Sequence, residues 1–173
     1  MLLDHNFNAK LSDFGHAREG PQGDRTQVST MPVGTYGYAT PEYVETGHLK
    51  SNTDLYSFGF VLYEILTGRK AIDRNLPQSE QKLLERVKQF PADSKRFRVI
   101  MEPRLNNQYS VEAVRKIAKL ADTCLRKNPD DRLAMSRIVD VLREAIRESK
   151  HVNNSQFGSP LPEPSTRRMV HAA

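Results

Sequence analysis

Cysteine is almost absent from this chain of 173 residues, with Cys124 standing alone. One thiol cannot close an internal disulfide, which excludes a small secreted fold stapled by bridges and points to a reducing compartment, cytosolic or nuclear. Long apolar runs are missing too. No stretch approaches the roughly 18 residues that a membrane-crossing helix needs, and Met1-Leu2-Leu3-Asp4 carries neither a signal-peptide pattern nor a glycine for myristoylation. Any membrane attachment is therefore expected to come through partners. The five histidines are scattered and form no metal spacing. No sustained basic run exists either: the 26 basic residues are interspersed with 21 acidic ones, so the net charge of +5 does not gather into a nucleic-acid stripe with interleaved aromatics. No nucleic-acid partner is expected.

What is present fits one globular domain with a tail. A 38% hydrophobic composition over this length can bury one sizeable core. Residues 1–50 are rich in Gly, Thr, Pro and charge and read mostly as loop, with one short alternating piece, Ala9 to Ser12, as a strand. From Ser51 the character changes. Ser51 is a good N-cap with Asp54 three residues on, and Gly68 is a stop, so residues 52–67 read as a helix. Its apolar residues, among them Leu55, Phe58, Phe60, Leu62, Ile65 and Leu66, occupy nearly every side, the pattern of a helix buried all round. Further helices are expected at 79–89, at 110–126 with Ser110 as cap, and at 134–149. The last places Met135, Ile138, Val139, Leu142 and Ile146 on one face. Beyond Lys150 the Asn, Ser, Gly and Pro content, with Pro160, Pro162 and Pro164, reads as disorder. The expected division is a domain over 1–149 and a disordered tail over 150–173. Cys124 falls within a helix, where a small buried apolar role is the default.

Asp13-Phe14-Gly15 follows the expected strand. Alone it is weak evidence and reads better as a strand-to-turn exit in which Gly15 simply allows the bend. The order of what comes after changes this: Gly34-Thr35-Tyr36-Gly37-Tyr38, then Pro41-Glu42, then Asp54-Leu55-Tyr56-Ser57-Phe58-Gly59, then Asp131-Arg132. That succession resembles the landmarks of a protein kinase domain, and Leu2 to about Ser149 is similar to the plant receptor-like cytoplasmic serine/threonine kinases. The fold this implies is mainly α, a protein kinase-like C-lobe fragment that is helical, with a short strand near its N-terminus and a long activation-segment loop.

The resemblance assigns Asp13 to the magnesium ion that bridges the ATP phosphates. It assigns Ser29 and Thr30 to the phosphorylated stretch of the activation segment and Thr35 to the loop that receives substrate. Added phosphate can order such a loop against arginines, for which Arg18 and Arg25 are candidates; the alternative is ordinary solvated loop residues. Glu42 and Arg132 resemble the ion pair that ties the end of the activation segment to the lower helices, and a largely buried pair is expected. Asp54 resembles the carboxylate that accepts backbone N–H groups from the catalytic loop, with a capping box shared with Ser51 as the competing or concurrent reading. Three positions depart from the family pattern: His16 in place of leucine, Thr40 in place of the alanine before Pro-Glu, and Leu133 in place of proline after Asp-Arg.

Phosphoryl transfer in this family also needs a glycine-rich loop, a strand lysine paired with a helix glutamate, and a catalytic loop of the His-Arg-Asp type. None occurs in the chain, and the pattern puts the catalytic-loop asparagine immediately before the position of Met1. The expectation is a truncated product or an incomplete gene model, with no catalytic residue of its own. Mg and ATP belong to the intact family and are not expected to bind tightly here. The partners implied are protein substrates or upstream receptor kinases, in the cytoplasm and at the plasma membrane through those partners. The alternative is a noncatalytic kinase-like interaction module; a nucleic-acid binder would rest on charge alone.

Overall fold

The computed structural model describes residues 1–35 and 37–156. The chain is mainly helical, with two minimal antiparallel sheets ahead of the long helices. Strand β1 (Leu2–Leu3) pairs with β2 (Ala9–Lys10), and β3 (Val28–Ser29) pairs with β4 (His48–Leu49). The expected strand at residues 9–12 is thus only two residues long, and its side chains are exposed. Helix α1 (Pro41–Thr46), within the stretch expected to be mostly loop, lies between β3 and β4. Its C-cap Gly47 has φ 67°, and its carbonyl accepts the Thr30 amide at 2.8 Å, which joins the helix end to the strand. A Cβ at Gly47 would stand 2.8 Å from the Thr30 carbonyl oxygen, so the turn excludes any larger residue.

Helix α2 (Thr53–Thr67) is the centre of the fold. Its stop is the expected one: Gly68 at φ 65° donates its amide to the Glu64 carbonyl. Its start is not. Ser51 is exposed and caps nothing; Asn52 is the N-cap residue and makes no side-chain cap bond. The chain enters instead through a reciprocal pair in which the Thr53 amide donates to the Lys50 carbonyl at 3.0 Å and the Lys50 amide donates to the Thr53 hydroxyl at 2.9 Å. Nor is the helix buried all round, because Ile65 is 66% exposed. Its apolar positions outnumber those its neighbours cover.

Helix α3 (Leu83–Lys88) is shorter than the expected 79–89. A single 3-10 turn occupies Gln78–Glu80, and the next residues are held extended by bonds from the Leu83 amide to Ala71 and from the Asp73 amide to Gln81. A backbone engaged in a bridge cannot also be helix. Helix α4 (Val111–Cys124) begins on its expected cap, the Ser110 hydroxyl accepting the Ala113 amide at 3.2 Å. Helix α5 (Met135–Gln156) continues into the segment expected to be tail. The remaining tail residues, 157–173, lie outside those described. The face of α5 also differs from the expected one: Ile138 and Ala145 are buried, while Met135, Val139 and Ile146 are exposed.

The core forms where α2 packs on α4 and α4 on α5. Leu55, Leu62 and Leu66 of α2 meet Leu83 and Val87 of α3, Phe97 and Ile100 from the connection, and Ala118, Ala121 and Cys124 of α4. Each fully buried aliphatic or aromatic side chain there contributes about 1.5–3 kcal/mol of transfer free energy.

Candidate functional site

Residue Thr40 starts the site. Pro at the first helical position presets φ, and Thr before it supplies a cap: the Thr40 hydroxyl accepts the Tyr43 amide at 3.2 Å and is fully buried. This departure from the family pattern is therefore a functioning helix start. The Thr-Pro-Glu run itself was the available signal. Helix α1 then aims two side chains. Tyr43 turns toward the preceding loop, its hydroxyl donating to the Met31 carbonyl at 2.9 Å and accepting the Val33 amide at 3.1 Å. Glu42 turns toward the helices and meets Arg132.

The Glu42 and Arg132 pair is bidentate. Nη1 lies 2.6 Å from Oε1 and Nη2 lies 2.9 Å from Oε2. The Arg132 side chain is fully buried and that of Glu42 is 20% exposed. The other guanidinium hydrogens go to three backbone carbonyls, Arg126 at 2.9 Å, Lys127 at 3.2 Å and Asn52 at 3.3 Å. All five N–H donors are thus used. The guanidinium also lies over the Tyr56 ring, 5.1 Å from its centre, a contact the sequence reading missed. Burial pushes the Glu42 carboxyl up, but the Arg132 hydrogen bonds and charge outweigh it and hold the group below the usual range.

A second junction fixes the loop after Thr35. The Tyr38 hydroxyl donates to Glu64 Oε1 at 2.5 Å, and the same oxygen accepts the Ala71 amide at 2.8 Å. Burial first, then the Glu64 contact, pushes the Tyr38 phenol up to about 12, so it remains a donor. The Ser57 hydroxyl donates to the Tyr38 carbonyl at 2.9 Å. One carboxylate therefore joins the loop, the central helix and the start of the connection to α3.

Thr35 and Asp54, both exposed, line one cavity of about 330 Å³, together with Arg18, Lys50 and Ser57. Asp54 makes no bond with Ser51, so no capping box forms. Thr35 also borders a second, more apolar groove of about 460 Å³ walled by Val33, Phe60, Ile72 and Leu84. Ser29 sits in β3 opposite His48, and the Thr30 amide extends that ladder. Asp13 stands apart: it is exposed, has φ 68°, and lines neither cavity. Left-handed backbone is tolerated by Asp but uncommon, and such outliers gather at functional sites. Arg25 is exposed, and among the described residues Arg18 bonds only the Ala17 carbonyl. Cys124 is fully buried in the core, and burial pushes its thiol up to about 11, which leaves it unreactive.

This chain is similar to known proteins over most of its length. The sequence model of the protein kinase domain matches residues 1–142. A probable serine/threonine-protein kinase of Arabidopsis thaliana, PBL20, is 54% identical over 161 residues, covering 93% of this chain and 41% of the relative. The Arabidopsis serine/threonine-protein kinase PCRK2 is 44% identical, covering 94% of this chain and 39% of itself. An EPD1-interacting receptor-like cytoplasmic serine/threonine-protein kinase of Nicotiana benthamiana is 50% identical, over 94% of this chain and 35% of itself. The chain spans about two fifths of the length of these curated relatives.

Proposed function

The chain belongs to the protein kinase domain family, its relatives being plant receptor-like cytoplasmic serine/threonine kinases, and we propose that it supplies the activation segment and lower helical lobe of such an enzyme while being catalytically silent by itself. The observation that carries the reading is the buried, bidentate Glu42 and Arg132 pair, which fastens the segment after Asp13-Phe14-Gly15 to the helical core. In this reading residues 1–149 form the kinase portion and the tail stands outside it. The groove beside Thr35, walled by Val33, Phe60, Ile72 and Leu84, receives the protein substrate. Ser29 and Thr30 are the phosphorylation switch. The work of the intact enzyme is in the cytoplasm, on protein substrates or with receptor partners.

The residues present do not fit tight binding of magnesium and ATP. Asp13 offers one exposed carboxylate, and no group of three or more His, Cys, Asp or Glu side chains is arranged to hold a metal among the described residues. The lysine, base and asparagine that would act with Asp13 are not in the sequence. Catalysis of this kind is positioning and charge stabilisation by several groups acting together, so one of them leaves little rate.

The test is incubation of purified, monodisperse chain with radiolabelled ATP, beside the same protein with Asp13→Ala. No incorporation is expected from either. Label that Asp13→Ala abolishes would overturn the silent reading. Adding an intact relative as kinase should place phosphate on Ser29, Thr30 or Thr35, and phosphate confined to the tail, for example at Ser159, would sink the switch assignment.

A further inference from the structure

Helix α5 carries two apolar faces. On one, Ile138 and Ala145 are 0% and 2% exposed, and Val141 and Leu142 lean on the core. The other is uncovered: Met135, Val139 and Ile146 are 47%, 37% and 56% exposed. Met135, Val139, Leu142 and Ile146 follow one another at spacings of four, three and four residues, with Leu142, half-buried against the core, at the boundary of the two faces. At 3.6 residues per turn they fall within about 60° of each other, a single line along the helix. Sustained 3–4 spacing is the seam by which one helix packs on another.

The charges beside that line have a definite sign. The acidic residues of α5 are engaged: Asp140 with Arg137 at 3.6 Å, and Glu144 and Glu148 with Lys116 of α4 at 3.3 Å and 2.5 Å. Arg143 and Arg147, which border the seam on its outer side, are exposed and have no ion pair among the described residues. An apolar seam with an uncompensated cationic border complements one kind of surface.

We infer that this face of α5 docks an amphipathic helix of another protein, with apolar residues at 3–4 spacing and Asp or Glu along the edge that meets Arg143 and Arg147. Two other occupants fit less well. An isologous pairing of two copies, antiparallel along the seam, would set one arginine border against the other. Residues 157–173 of the chain itself carry two arginines and one acid, Glu163, the wrong balance of charge for the border formed by Arg143 and Arg147. A helix laid on a groove by i, i+3 and i+4 anchors is a recurring mode of recognition, and Met135 supplies the adaptable thioether such surfaces use.

The experiment places a photoreactive phenylalanine analogue at Ile146 in the full chain, expressed in its native cells, and sequences the crosslinked peptides. The expected adduct is a segment of a different protein with 3–4 apolar spacing and acidic flanks. Its yield should fall at least about tenfold when Arg143→Glu and Arg147→Glu are combined, since two attractions become repulsions, while the unfolding temperature is unchanged because both side chains are exposed. Adducts to the chain's own tail or to a second copy, a peptide without acidic flanks, a yield indifferent to the charge reversal, or no adduct at all would each overturn the inference.

Discussion

Arg132 shows how much one side chain can hold when all its donors are used. Its guanidinium joins α1 through Glu42, the entry to α2 through the Asn52 carbonyl, and the loop after α4 through Arg126 and Lys127. Removing one member of a buried pair leaves the other uncompensated, which costs about 3–5 kcal/mol. Glu42→Ala and Arg132→Ala should each lower the unfolding free energy by that order in urea titrations, and the double variant should lose less than their sum. Arg132→Lys should not rescue, because an ammonium has no fork to meet both carboxylate oxygens. The pH dependence has a definite sign. The native Glu42 carboxyl is held below its ordinary value, 4.5, so its contribution is fully present above that pH and is lost as pH falls through the native value. Acid should therefore weaken the wild type more steeply than Glu42→Gln; parallel acid titrations of the two would refute the pairing energy.

At the scale of elements, what the sequence reveals is what is local and strongly periodic. Ser110 and Gly68 act where they are expected, because a cap needs only its own helix end. Helix α1 escapes notice because six residues carry too little periodicity, although Thr40-Pro41-Glu42 holds its start signal. The entry to α2 misleads because Thr53, not Ser51, has a backbone partner in reach. The apolar line of α5 is visible, yet periodicity cannot decide which of two neighbouring lines a neighbour will cover. Gly59 illustrates contact that only the assembled helices disclose. A Cβ there would stand 2.8 Å from Leu125 Cγ, 3.0 Å from Cys124 Cβ and 3.1 Å from the Ala121 carbonyl oxygen. Gly59→Ala gains about 1 kcal/mol of helix propensity, but overpacking against a backbone oxygen costs about 1–3 kcal/mol. The net expectation is a less stable protein. A rise in the thermal midpoint would show that α2 and α4 can separate freely.

Across the whole molecule, the candidate site was legible through the order of its landmarks, which brings Glu42 to Arg132, while the junction of Tyr38, Glu64 and Ala71 depends on a loop geometry no motif encodes. The same scale shows an uneven distribution of apolar cover. Leu2, Leu3, Phe7, Leu11 and Phe14 are 60%, 63%, 82%, 77% and 67% exposed, and the only sheet among them pairs two residues with two. Such a minimal hairpin contributes little stability in water, so cohesion resides in α2, α4 and α5. Large apolar side chains concentrated in so short a segment favour self-association of the chain by itself. Replacing Leu2, Leu3 and Leu11 with serine should therefore separate two properties. Sedimentation over a concentration series should shift toward monomer, while the free energy of urea unfolding stays within about 0.5 kcal/mol of the starting value for each exposed substitution. Unfolding that weakens well beyond that would mean these side chains already belong to the core, and association that persists unchanged would place the adhesive surface elsewhere.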